Sequence, residues 1–67
     1  MTAAQFEELG ETEVEAVLRW RFTELVRAGY DPSLAMEVAS HVDVDLHAAS
    51  DLVRRGCPQA TALRILL

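Results

Sequence analysis

The chain has no lysine and no asparagine, one cysteine, one isoleucine, and only four aromatic residues: two phenylalanines, one tyrosine and one tryptophan. A single cysteine cannot close an internal disulfide, which suits a reducing compartment. No apolar run approaches the ~18 residues needed to span a bilayer. The opening "MTAAQFEELGETE" is acidic and lacks a basic segment leading into an apolar one, so no secretory signal is expected. These absences predict a cytoplasmic location. Cationic side chains are also scarce: six arginines stand against eleven acids, for a formal charge of −5. A phosphate backbone rewards the opposite balance, so nucleic acid is not an expected partner, and no helix reads as basic enough for a DNA-binding helix-turn-helix. Ten alanines beside the missing lysine and asparagine indicate avoidance of AT-rich codons, hence a bacterial genome of high GC content.

What is present is helical. At 67 residues there is room for one domain with a small core of Leu, Val and Ala. Residues 1–10 read as a partly ordered tail, with Phe6 and Leu9 as anchors and Gly10 as a break. The domain proper is expected over 11–67. In "TEVEAVLRWRFTELVRAG", Thr12 and Glu15 are spaced as a capping box. Val14, Leu18, Phe22 and Leu25 form one stripe, flanked by Val17 and Val26. Gly29 supplies the left-handed position that ends this helix. A short second helix follows, with Asp31 as N-cap, Pro32 at the first helical position, and Leu34, Ala35, Val38 and Ala39 inward. "HVDVDLH" alternates with period two, but a lone strand has no ladder partner. It is expected to be an extended connector tucking in Val42 and Val44. Asp45 then caps a third helix, with Leu46, Ala49, Leu52 and Val53 inward and Gly56 as its stop. A fourth helix is expected from Pro58 at N1, with Leu63, Leu66 and Leu67 on one side.

The stretch from His41 to Cys57 holds both histidines, three aspartates and the cysteine. As ligands, His41, Asp43, Asp45 and His47 match no standard zinc spacing, and the glycine and terminal glutamate of a calcium-binding EF-hand loop are missing. Helix capping explains Asp45 without a metal. Cys57 precedes a helix start, where a thiol can be activated, but no His-and-acid arrangement accompanies it. No glycine-rich phosphate loop or serine triad is present. The expectation is no metal, no cofactor and no enzyme. Trp20 lies opposite Leu18, Phe22 and Leu25, on the stripe of Glu13, Ala16, Glu24 and Arg27. The fourth helix, or Phe6 and Leu9, is expected to cover it; a protein interface is the alternative.

The order helix, "AGY", short helix, loop, "DLHAASDLV" resembles the ubiquitin-associated (UBA) domain, a three-helix bundle. Leu25, Val26, Ala28, Gly29 and Tyr30 lie on its first signature, Ala35 on the alanine of the second helix, and Leu46 and Ala49 on the third helix. The match is ungapped from Leu25 to Val53, under half the chain. Ala28 stands where the family usually has Met, and Val53-Arg54 where it has an apolar pair. The resemblance implies an all-α, UBA-like bundle of three core helices with a short fourth helix added. It also implies protein binding through Ala28, Gly29 and Tyr30 with Leu52 nearby. The physical reading of Tyr30 leaves two roles open, an exposed apolar face or a staple between the first two helices. Together these readings predict a non-catalytic protein-interaction module, a small bacterial adaptor or regulator. The alternative is an obligate homodimer held by Trp20 and the fourth helix.

Overall fold

The computed structural model of the chain describes Thr2, Ala4 and residues 10–67. The expected anchors Phe6 and Leu9, and most of the 1–10 tail, lie outside the described residues. Among the described residues there are four helices and no strand: α1 (Glu11–Ala28), α2 (Pro32–Ser40), α3 (Leu46–Arg54) and α4 (Gln59–Leu66). The molecule is a small all-α bundle. Helix α1 packs against α2 and α3, and α4 closes the far side of those two.

Helix α1 departs from expectation at both its start and its inward face. It begins at Glu11 with Gly10 as N-cap and no side-chain cap bond, so the Thr12–Glu15 capping box does not form. Thr12 already lies inside the first turn, and the Val14 N–H is satisfied by Gly10 O at 2.9 Å. No residue from Thr12 to Trp20 is fully buried, although Val14, Val17 and Leu18 are half-buried. The first buried position is Arg21, followed by Leu25. These fall on the helical repeat Val14–Leu18–Arg21–Leu25–Ala28. The inward stripe is therefore rotated towards Arg21, leaving Phe22 half-buried and Val26 exposed.

Two glycines end helices in the same way. The Gly29 and Tyr30 N–H groups donate to Val26 O and Leu25 O, which is the Schellman arrangement. Gly29 has φ +126°, and a Cβ built there would meet Val53 Cγ1 at 2.9 Å, so this turn also lets α1 and α3 approach closely. Gly56, at φ +92°, repeats the pattern after α3, with its own N–H on Val53 O and that of Cys57 on Leu52 O. Nothing crowds Gly56.

The expected inward residues of α2 are there: Ala35, Val38 and Ala39 are buried and Leu34 packs against them. Asp31 occupies the N-cap position with Pro32 behind it. Its carboxylate makes no cap bond, and its N–H donates instead to Gln59 Oε1 at 2.7 Å, tying α2 to α4. Val42 and Val44 are tucked inward as expected, but the connector is a turn rather than extended chain, closed by the Val44 N–H on His41 O at 2.9 Å. Asp45 caps α3, accepting from the His47 N–H at 2.9 Å. Pro58 is the N-cap of α4 rather than its first residue. Ala62 is the buried position of that helix, and Leu67 is half exposed instead of lying with Leu63 and Leu66.

Candidate functional site

Arg21 carries the fold in a way its sequence position hid. It is 5% exposed, and its guanidinium donates to three backbone carbonyls: Nε to Ala39 O (3.2 Å), and Nη2 to His41 O (3.1 Å) and Val44 O (2.9 Å). These oxygens belong to the last turn of α2 and the connector behind it, where helical carbonyls lack partners of their own. Arg21 thus caps α2 from a neighbouring helix and fixes the turn that leads to α3. Burial lowers its pKa, while the carboxylates of Asp43 and Asp45 act in the opposite sense. The signal in the sequence is its place between Leu18 and Leu25 on the α1 stripe.

Tyr30 takes the role of staple rather than of exposed apolar face. It is 2% exposed, and its hydroxyl donates to Ala49 O of α3 at 2.9 Å. Burial raises its pKa, and the nearby Cys57 adds to the effect. Leu52 is half-buried against the same core, Ala28 is half-buried, and Gly29 is turned towards Val53. The expected patch at Tyr30 and Leu52 is therefore mainly the seam between α1 and α3. Tyr30 itself presents almost no surface, while Ala28, Gly29 and Leu52 beside it keep some exposure.

Trp20 is not covered by the fourth helix, and Phe6 and Leu9, its other expected cover, lie outside the described residues. The indole is 56% exposed, and α4, expected to cover it, packs on α2 and α3. It stands about two and a half turns, roughly 14 Å, up α1 from Gly29, so the structure does not bring it together with the other expected site residues. Beside it runs a groove of about 320 Å³ between α1 and the connector. Val17, Trp20 and Arg21 form one wall. Asp43, Val44, Asp45, Leu46 and His47 form the other. A second groove, of about 330 Å³, lies along the α1–α2 side between Leu18, Phe22 and the exposed Met36.

The two histidines and Asp45 have local partners. His41 Nδ1 lies 2.9 Å from Glu37 O, and His47 Nδ1 lies 3.7 Å from the capping carboxylate of Asp45. Among the described residues no three His, Cys, Asp or Glu side chains gather into a group able to hold a metal ion. The Cys57 thiol is half-buried and donates to Pro58 O at 3.6 Å.

The fold and this groove define a small all-α bundle with an aromatic-walled cleft on its longest helix. No protein-family model, no curated protein and no solved structure matches the chain.

Proposed function

We propose that the protein is a non-catalytic protein-interaction module of UBA-like architecture, docking its partner along the Trp20 face of α1. The observation that carries this reading is the exposed indole at the mouth of a groove. Tryptophan is enriched at binding hot spots because it brings a large apolar area with one polar tip. With 56% of an indole left in water, burial of that area on binding contributes roughly 3 kcal/mol. The reading keeps the architecture implied by the resemblance but moves the surface from Tyr30 to Trp20. Such a contact is weak, in the micromolar range or looser, and suits an adaptor or regulator.

Co-precipitation with the wild-type chain as bait, compared with Trp20→Ala, tests it. The Trp20→Ala bait should keep its helical circular dichroism and lose the co-precipitated protein. Equal capture by both baits would remove Trp20 from the interface. A second reading, a homodimer held by Trp20 and α4, is favoured by the exposure of Ile65 on α4 and of Leu67 just after it, at 62% and 50%. Light scattering across a dilution series separates the two.

A further inference from the structure

We propose that the groove beside Trp20 receives a basic segment of the partner protein, with an arginine or lysine side chain lying on the indole between Asp43 and Asp45. This rests on the reading of the groove as a docking surface and adds the chemistry of its occupant.

The charges around the groove are segregated. Asp43 and Asp45 are both exposed and lie on the wall facing Trp20. The one fixed cation in the lining, Arg21, is buried beneath them with its guanidinium committed to three carbonyls, so it offers no donor fork to an anionic ligand. Along α1, Glu13 and Glu24 share the stripe of Trp20, and Glu24 is paired with Arg27 at 3.5 Å. Arg54 and Arg55 are at the other end of α3, about 12 Å along the helix from the groove. An acidic or phosphorylated segment seated in the groove would therefore meet Asp43 and Asp45, with the lining's own guanidinium already occupied. The exposed Arg27 on the Trp20 stripe stands about two turns along α1 and is paired with Glu24. A cation meets the exposed carboxylate of Asp43, that of Asp45, which already accepts from the His47 N–H, and an exposed indole, the aromatic ring that attracts cations most strongly. Val17, Val44 and Leu46 supply the apolar floor for its methylene stem.

The test is a backbone-amide chemical-shift titration of the isotope-labelled chain with two probe peptides. One is the blocked peptide Gly-Leu-Arg-Leu-Arg-Gly, and the other carries Gln in place of both arginines. The arginine peptide should shift residues 17–21 and 43–47 and saturate at about 1 mM. The glutamine peptide should bind at least fivefold more weakly. The double variant Asp43→Asn, Asp45→Asn should cut the affinity for the arginine peptide at least threefold and leave that for the glutamine peptide unchanged. Asparagine retains the N-cap of α3, so the fold should survive, and Trp20→Ala provides an independent variant with the same expected loss. Equal affinity for the two peptides would overturn the cationic occupant while leaving the docking surface standing. Shifts confined to other faces, or none with either peptide, would overturn both.

Discussion

At the scale of single residues, two buried polar side chains hold the bundle together, and each makes a definite prediction. Arg21 supplies hydrogen bonds to the carbonyls of Ala39, His41 and Val44 from one planar group. Removing it strands buried acceptors at the end of α2, at a cost of about 3 kcal/mol. A domain of this length has roughly 3–10 kcal/mol of stability in total. Arg21→Ala should therefore bring the chain to the edge of unfolding in a urea titration. Arg21→Lys should recover less than half of the loss, because a point ammonium cannot reproduce the fork. The exposed Arg19→Ala should move the midpoint by under about 0.5 kcal/mol. Tyr30 predicts a pH dependence. Its phenol is held above the usual range by burial, so the folded state favours the neutral form. Below the ordinary tyrosine pKa of about 10 both states are protonated and the full stability is present. As pH rises past that value the unfolded chain ionises first, and stability falls until the folded pKa is also passed. Wild type should show this alkaline loss, with phenolate absorbance appearing together with unfolding. Tyr30→Phe should lack that limb, while starting about 1 kcal/mol lower for the lost bond to Ala49.

At the scale of elements, the ends of helices were more legible than their faces. Gly29, Asp31-Pro32, Asp45 and Gly56 could be read directly, because a left-handed turn or a fixed φ constrains the residue type locally. The Thr12–Glu15 box was legible too and does not form, since α1 starts two residues earlier, with Gly10 rather than Thr12 at the N-cap. The rotated face of α1 was hidden for a different reason. Apolar periodicity has no place for a buried arginine whose partners lie 18 to 23 residues away. The positions of Tyr30 and Trp20 depend likewise on tertiary neighbours: the first finds Ala49 on α3, the second finds no cover from α4. The two glycine turns make the element-scale prediction. Both have positive φ, but only at Gly29 would a Cβ collide, meeting Val53 at 2.9 Å. Gly56→Ala should cost about 1 kcal/mol of backbone strain. Gly29→Ala should cost about 2–3 kcal/mol, since strain and overpacking combine. Val53→Ala in the Gly29→Ala background should return part of the steric component. Additive losses in that double-mutant cycle would show that α3 does not press on the turn.

At the scale of the whole molecule, the distribution of apolar surface connects stability to function. The core is built from small residues around Leu25 and Val38, the largest side chains fully buried, while Trp20, Met36 and Ile65 remain more than half exposed. Folding thus leaves its largest aromatic side chain substantially out of the core, and the stability of the isolated chain should hardly depend on it. Trp20→Ala is expected to change the thermal midpoint by no more than about 1 kcal/mol equivalent, whereas Leu25→Ala, at 0% exposure, should cost about 2–4 kcal/mol. The same asymmetry separates an interaction module from a homodimer. A module awaiting its partner should show a wet indole emission and a midpoint that stays constant over a hundredfold dilution. In a dimer held by Trp20 and α4, dissociation is coupled to unfolding, so the midpoint falls on dilution and the emission shifts with the halving of mass. Trp20→Ala would then abolish the concentration dependence, and the cost of losing the indole would grow with protein concentration. A constant midpoint, together with a Trp20→Ala variant as stable as wild type, would leave an exposed tryptophan with no role in folding or self-association, which is the outcome the docking proposal requires.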